Sequence, residues 1–310
     1  MLNLFQSNIM VDFWKSLPEF EPVLIQECEN GVEVGRILGV ILMDSGVKGY
    51  LSRRCIVWGG PVIASEVENR VQICDSLLKS FLDEVRGKAI FIEFRNLFDC
   101  EQYKQIFEKH GFVFSEHLNF INKLTEASLT KKVISESKLR QIKKSIKAEA
   151  EIIVSSDEKE INEYYELLAE LYKTKVKTPL PNLDYFLNFS KFGIGVYLLI
   201  KFEGKIIGGL MGGIYDGVMY EMYVCGEDGK YKDIYPSVLA TYAAIEYGVN
   251  NGLKYFDFLG AGKPDEDYGV REFKSKFGGQ LVNYGRFKLI LNKPLYKIGE
   301  FGVKLMKKYG

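Results

Sequence analysis

Four basic residues, Arg140, Lys143, Lys144 and Lys147, fall at helical spacing within residues 139–148. Steps of three and four place them on one side of a helix. Such a stripe suits phosphate oxygens, which accept charge-assisted hydrogen bonds from Lys and Arg. A second basic pair, Arg271 and Lys274, lies three residues apart, while Lys276 points elsewhere on the same turn. Glu221 and Tyr223 alternate in an apolar run that reads as a strand, so they are expected to share a face and line a groove. Asp257 ends another short apolar run. Strand ends open on a cleft in α/β sheets, where a carboxylate can orient an amine or accept a structural hydrogen bond. Neither histidine suits a general base. His110 precedes a glycine at an expected helix end, which suits a cap, and His117 falls in an expected strand as a packing residue. The sequence has no GxSxG, no cysteine beside either histidine and no metal-ligand spacing. Hydrolytic serine, cysteine–histidine and metal chemistries therefore lack support.

The elements that must position these residues come twice. Asn30-Gly31 makes a turn into an apolar strand over residues 32–41, and Glu203-Gly204 makes the same turn into residues 205–214. A second strand follows each, near 49–57 and 218–225. Amphipathic helices come next, over 66–85 and 236–250, with apolar residues at 3.6-residue spacing. Short apolar strands then fall at 89–94 and 254–259. Each copy is expected to close with a helix, a glycine turn and a last strand, at 118–121 in the first and 286–290 in the second. Between the copies, residues 135–149 and 157–171 read as helices, and two prolines break the helix across 173–181. Strands alternating with helices predict an α/β fold, and the early hairpins make its sheets mixed. The expected division is a first domain over 1–130, a second over 131–292 with a helical lead-in at 131–190, and an amphipathic helix over 293–310.

With 310 residues, 47% of them hydrophobic, the chain can build two cores. Acidic and basic side chains balance at 41 each, without the broad positive field of a dedicated DNA binder. Five cysteines, an odd number with no CxxC pair, read as reduced thiols of a cytoplasmic protein. The first ten residues show no basic-then-apolar leader, and no run of about 18 apolar residues reads as a membrane span.

Several segments resemble the FemAB family, in which two GNAT-like acyltransferase domains stand in tandem. Phe5-Gln6-Ser7 resembles the family's start, and Trp58-Gly59-Gly60-Pro61 its glycine–proline turn. The basic helix Leu139-Arg140-Gln141-Ile142-Lys143-Lys144-Ser145 is similar to one found there. Asp257-Phe258-Leu259-Gly260 and Phe273-Lys274-Ser275-Lys276-Phe277-Gly278 resemble the Asp-x-x-Gly and Phe-Lys-x-x-Phe-Gly signatures near the family's C-terminus.

The resemblance implies tandem GNAT-like domains and transfer of an amino acid from aminoacyl-tRNA to an amine of a peptidoglycan-type precursor. The donor is then a co-substrate, and no cofactor is expected. It also implies a functional lysine at Lys274, with Phe273 and Arg271 beside it, on substrate phosphate or the developing oxyanion. Lys177 stands where the family often has an arginine near the substrate, and Arg140 with Lys144 would meet phosphate or tRNA. The chain lacks the long helical arm associated with tRNA in several members. An acyl-CoA N-acyltransferase of polysaccharide assembly and a non-catalytic binding protein on the same scaffold are the alternatives. Acetyl-CoA enzymes of the GNAT fold hold the pyrophosphate on a glycine-rich loop at a helix N-terminus. Residues 229–237 lack paired glycines there, and Pro236 removes a backbone donor. The acceptor is expected to be nucleotide- or lipid-linked. The amphipathic C-terminal helix, with Lys297, Lys304, Lys307 and Lys308 beside apolar residues, would allow peripheral contact with the inner membrane face.

Overall fold

Hydrophobic spacing sets the two long helices that anchor the fold. Ile73, Cys74, Leu77, Leu78, Phe81, Leu82 and Val85 form one buried stripe, and the chain is helical there over Arg70–Val85. A second helix, Pro236–Asn250, starts with proline at its first turn and buries Val238, Leu239, Ala243, Ala244 and Ile245. The computed structural model describes residues 2–43, 49 and 52–309, with side chains as far as Phe301. The chain divides into two units. One comprises Met1–His117 with Asn283–Gly310, the other Leu118–Val282.

The first unit contains a mixed sheet. Its strands run in the order Phe20–Glu29, Val32–Leu42, Arg54–Trp58, Phe91–Arg95, Arg286–Ile290 and Val113–Ser115, with Val62–Ile63 beside the second. Neighbours are antiparallel except Arg54–Trp58 and Phe91–Arg95, which run parallel over five residue pairs. The helix Arg70–Val85 lies on one face. Gly39 permits its approach, since a Cβ there would meet the Phe81 ring at 2.5 Å.

The second unit repeats the pattern. Its order is Gln280–Asn283, Leu118–Lys123, Tyr255–Asp257, Val218–Gly226, Lys205–Tyr215, Gly195–Phe202 and Glu151–Ser155. Again one parallel pair, Val218–Gly226 with Tyr255–Asp257, sits next to an antiparallel hairpin. The duplicated order expected from sequence is thus present in both sheets. The second strand of the first copy is formed over Arg54–Trp58, and residues 44–48, 50 and 51 lie outside the described residues.

The closing strands differ from expectation. Leu118–Lys123 does not complete the first sheet; it pairs antiparallel with Tyr255–Asp257 in the second. Arg286–Ile290 pairs with Phe91–Arg95 in the first. The two copies exchange their last strands, so the expected domain limits at 130 and 292 give way to a discontinuous first unit. The cause is that an apolar strand carries no local mark of its partner, and pairing is decided by the core it completes. Phe287 joins the first core, Phe120 the second. The proline-broken stretch also holds more order than expected. A π turn over Tyr172–Val176 ends at Lys177 with φ 53°, and a further helix, Leu183–Lys191, follows with the Asn182 side chain accepting from the Tyr185 N–H at 3.2 Å.

Candidate active site

The first unit's parallel pair stays joined through five residue pairs, but the second unit's pair has only three, ending at Tyr220 and Asp257. Lys274, on the short helix Gly269–Ser275, fills the region where these two strands separate. Its Nζ donates to the carbonyls of Phe258 at 2.6 Å and Gly260 at 3.0 Å, and pairs with Glu221 Oε1 at 3.0 Å. It also lies 5.6 Å from the centre of the Phe258 ring. The residue is 8% exposed. An ammonium has three donors, and all three are engaged with the protein. In this arrangement Lys274 holds the strand ends rather than presenting an open cation to substrate.

The carboxylates around it are equally enclosed. Glu221 is buried, and its Oε2 has no hydrogen-bond partner among the described residues. Burial pushes its carboxyl above the ordinary range, and the Lys274 charge draws it back. Burial likewise raises Asp257, opposed by hydrogen bonds from the Asn119 amide and the Leu259 N–H, both 2.7 Å. Asn119 Oδ1 accepts from the N–H of Gly260 at 2.7 Å and of Phe120 at 2.9 Å. Leu259 sits at φ 53°, a region a branched side chain rarely adopts. Asp257, Asn119 and Lys274 together fix the turn from Phe258 to Gly260.

A β-bulge overturns the expectation that Glu221 and Tyr223 share a face. Gly212 opposes Glu221 and Met211 opposes Tyr223, so Met222 is the extra residue. Adjacent residues of one strand point to opposite faces, and their partners follow them. Glu221 therefore turns to Lys274, while Tyr223 turns to Tyr172, Tyr185 and Phe186, with ring centres 5.2–6.2 Å away. Arg271 is spent on its own loop. Its guanidinium donates to the carbonyls of Lys263, Pro264 and Glu266 and staples that loop. Phe273 packs on the second core, 5.2 Å from Phe277, with Lys138 Nζ 4.5 Å from its ring centre. In the basic helix, Glu136–Lys147, Arg140, Lys143 and Lys147 are exposed, but Lys144 pairs with Asp233 at 2.6 Å. Lys177 is exposed, and its backbone N–H closes the π turn on Tyr172 at 2.7 Å.

Three features escaped the sequence reading. Asn119 lies in the exchanged strand, so nothing local placed it beside Asp257. At the helix Pro236–Asn250, the first free amide, Ser237 N–H, is taken by Asp228 Oδ1 at 3.2 Å. A carboxylate of the chain itself thus meets the start of this helix. In the first unit, Glu93 binds Arg95 at 2.8 Å, Arg286 at 3.2 Å and Lys288 at 3.1 Å. The alternation Glu-x-Arg and Arg-x-Lys on the paired strands was the available signal. The histidines take polar roles. His110 Nε2 meets Asp75 at 2.7 Å, and His117, outside the expected strand, accepts from Arg286 Nη2 at 2.8 Å. The described residues contain no cluster able to hold a metal.

Two outcomes follow from these charges. Removing Glu221 alone by Glu221→Leu should cost about 3–5 kcal/mol, because it leaves a buried ammonium without its counter-charge. The double variant Lys274→Met with Glu221→Leu should lose less in urea unfolding than the two single losses added together, the remaining cost being the Phe258 and Gly260 carbonyls left without their donor. Additive losses would show that the pair is not coupled. For Glu93, burial raises the carboxyl, but Arg95, Arg286 and Lys288 outweigh it and bring its pKa from 4.5 down to about 2. A depressed acid stabilises the fold above its unfolded pKa and loses that contribution as pH falls through the folded value. Stability should thus decline between pH 4.5 and about 2, and Glu93→Gln should flatten that decline in urea melts taken across the window.

Residues 206–304 match the model of the FemAB family. No curated protein sequence matches the chain. The crystal structure of FemX superposes with a TM-score of 0.69 at 15% identity, covering 96% of this chain and 94% of FemX. L-PGS from Bacillus licheniformis gives 0.61 at 13%, covering 96% and 92%. A tandem GNAT protein from the clavulanic acid biosynthesis pathway gives 0.58 at 8%, covering 92% and 88%. Identities this low speak to fold, and the fold they share is the tandem one. The stretch 206–304, with Lys274, Glu221 and Asp257 inside it, matches the FemAB family model, and the chain around it is similar in fold to FemX and to the tandem GNAT protein.

Proposed function

We propose that the chain is an aminoacyltransferase that forms an amide on an amino group of a cell-envelope precursor, taking its acyl group from aminoacyl-tRNA. The observation that carries this reading is the FemAB match over 206–304, which includes the strand-end site of Glu221, Asp257 and Lys274. The Asp228 carboxylate at the helix N-terminus supports a donor other than acyl-CoA. Both substrates act as co-substrates, without a cofactor.

Acyl transfer to an amine needs a neutral nucleophile, a polarised carbonyl and two reactants held in register. Lys274 serves as a positioning residue. It keeps the turn from Phe258 to Gly260 and the Glu221 strand at a fixed separation, so the reacting groups meet one rigid frame. Asp257 acts through the same turn. The amine proton passes to water or to a substrate group. The exposed Arg140, Lys143 and Lys147 supply donors for phosphates of the tRNA. The C-terminal helix Lys293–Tyr309 exposes Ile298 at 54% and Phe301 at 65% beside lysines, which favours peripheral contact with an anionic membrane.

The purified protein should transfer radiolabelled amino acid from charged tRNA to a nucleotide-linked muramyl peptide or its lipid-linked form. Lys274→Met should lower kcat about a hundredfold with KM less affected, as expected for lost positioning. No transfer to either acceptor with any of the charged tRNAs would overturn the reading. In vesicle sedimentation, phosphatidylglycerol vesicles should retain the protein at low salt, and Ile298→Ser with Phe301→Ser should release it. Equal sedimentation of parent and variant would remove the membrane contact.

A further inference from the structure

The first unit holds a cluster that the transfer reading does not use. Glu93 stands on the strand Phe91–Arg95, and Lys288 is its partner on Arg286–Ile290, while Arg95 faces Arg286 two residues away. All four side chains lie on the sheet face opposite the buried Ile92, Phe94 and Phe287. Glu93 Oε1 receives Arg95 and Arg286, and Oε2 receives Lys288. Both its oxygens are consumed by cations. Arg95 and Lys288 alone outnumber the carboxylate, before Arg286 is considered.

The cations keep donors to spare. Within the described residues, Arg95 donates a hydrogen bond through Nε only, leaving both Nη groups for another acceptor. Lys288 Nζ has one carboxylate partner, Glu93 Oε2, and two remaining protons. Their side chains are 34% and 35% exposed, so a solute can reach them while Glu93, at 10%, stays beneath. Aromatic rings border both ends. Arg95 lies 5.4 Å from the Trp58 ring centre, and Lys288 lies 4.9 Å from Phe91 and 5.8 Å from Tyr296. These contacts hold the long side chains in place before a ligand arrives.

We propose that Arg95, Arg286 and Lys288, fanned around Glu93, form a binding site for a diphosphate group. Arg95 offers its two Nη groups to one phosphoryl group, and Arg286 adds positive charge beside it. Lys288 stands two residues along the strand, about 7 Å on, where it meets the second phosphoryl as a point charge. A nucleoside diphosphate and an isoprenoid diphosphate share this chemistry. The choice of ligand rests on the proposed acceptor being nucleotide- or lipid-linked, while pyrophosphate binding is measured without any acyl donor and so stands or falls apart from the transfer assay.

Isothermal titration of the full chain with inorganic pyrophosphate tests the site. Binding is expected in the micromolar-to-millimolar range and should weaken with added salt. Arg95→Gln and Lys288→Gln should each weaken it at least tenfold, while Lys288→Arg should retain it. Lys79→Gln, on the helix Arg70–Val85, serves as the control and should change nothing. Thermal melts confirm that each variant is folded, and Lys288→Gln set against Lys288→Arg keeps the test valid if Arg95→Gln does not fold. Uridine diphosphate and farnesyl diphosphate are then titrated in turn, and tighter binding of one, with the same sensitivity to Lys288→Gln, identifies the source. Unaltered affinity in the folded Gln variants, or absence of pyrophosphate binding up to millimolar concentration, would overturn the proposal.

Discussion

A buried ammonium governs the second unit. Lys274 is enclosed by two carbonyls of one turn, Phe258 and Gly260, and by the Glu221 carboxylate of a separate strand. A charge removed from water is tolerated only where every donor finds an acceptor. The strand carrying Glu221, the turn after Asp257 and the helix Gly269–Ser275 must therefore keep their spacing together. The parallel strands can separate after three pairs because the cation replaces the hydrogen bonds that a longer ladder would supply. In the first unit the ladder continues to Trp58 and Arg95.

The two copies have accordingly diverged in what they do with the same frame. One closes its strands and fans cations over its sheet face around Glu93. The other opens its strands and puts a single cation into the gap. The first distributes positive charge toward solvent, and the second neutralises it internally. A shared fold has been specialised by the placement of a few charges, not by a change of architecture.

Much of the frame was legible in the sequence. The spacing of Ile73, Leu77 and Phe81, and of Val238, Leu239 and Ile245, has a helical period, and the Asn30-Gly31 and Glu203-Gly204 turns announce the hairpins. The site was less legible, for physical reasons. Glu-Met-Tyr-Val reads as plain alternation, and a bulge at Met222 leaves no trace in composition. Lysine is almost always exposed, so the burial of Lys274 runs against the expectation for its type. Arg271 looks like a ligand for anions, but its donors are spent on three carbonyls of its own loop. Asn119 lies 138 residues from Asp257, and only the strand exchange brings them together. Local pattern reveals elements, whereas partners are settled by which core each strand completes.

That exchange constrains how the molecule can be made. Arg286 meets Glu93 across 193 residues of chain. A ribosome adding about 5–20 residues per second needs roughly ten to forty seconds to cover such a distance. For that period the strand Phe91–Arg95 stands at an open edge of the first sheet, without its neighbour. Open edges invite pairing with other chains. The early half of the protein is thus exposed to mispairing until the late half emerges, and neither half can be cut out and expected to stand as a complete sheet.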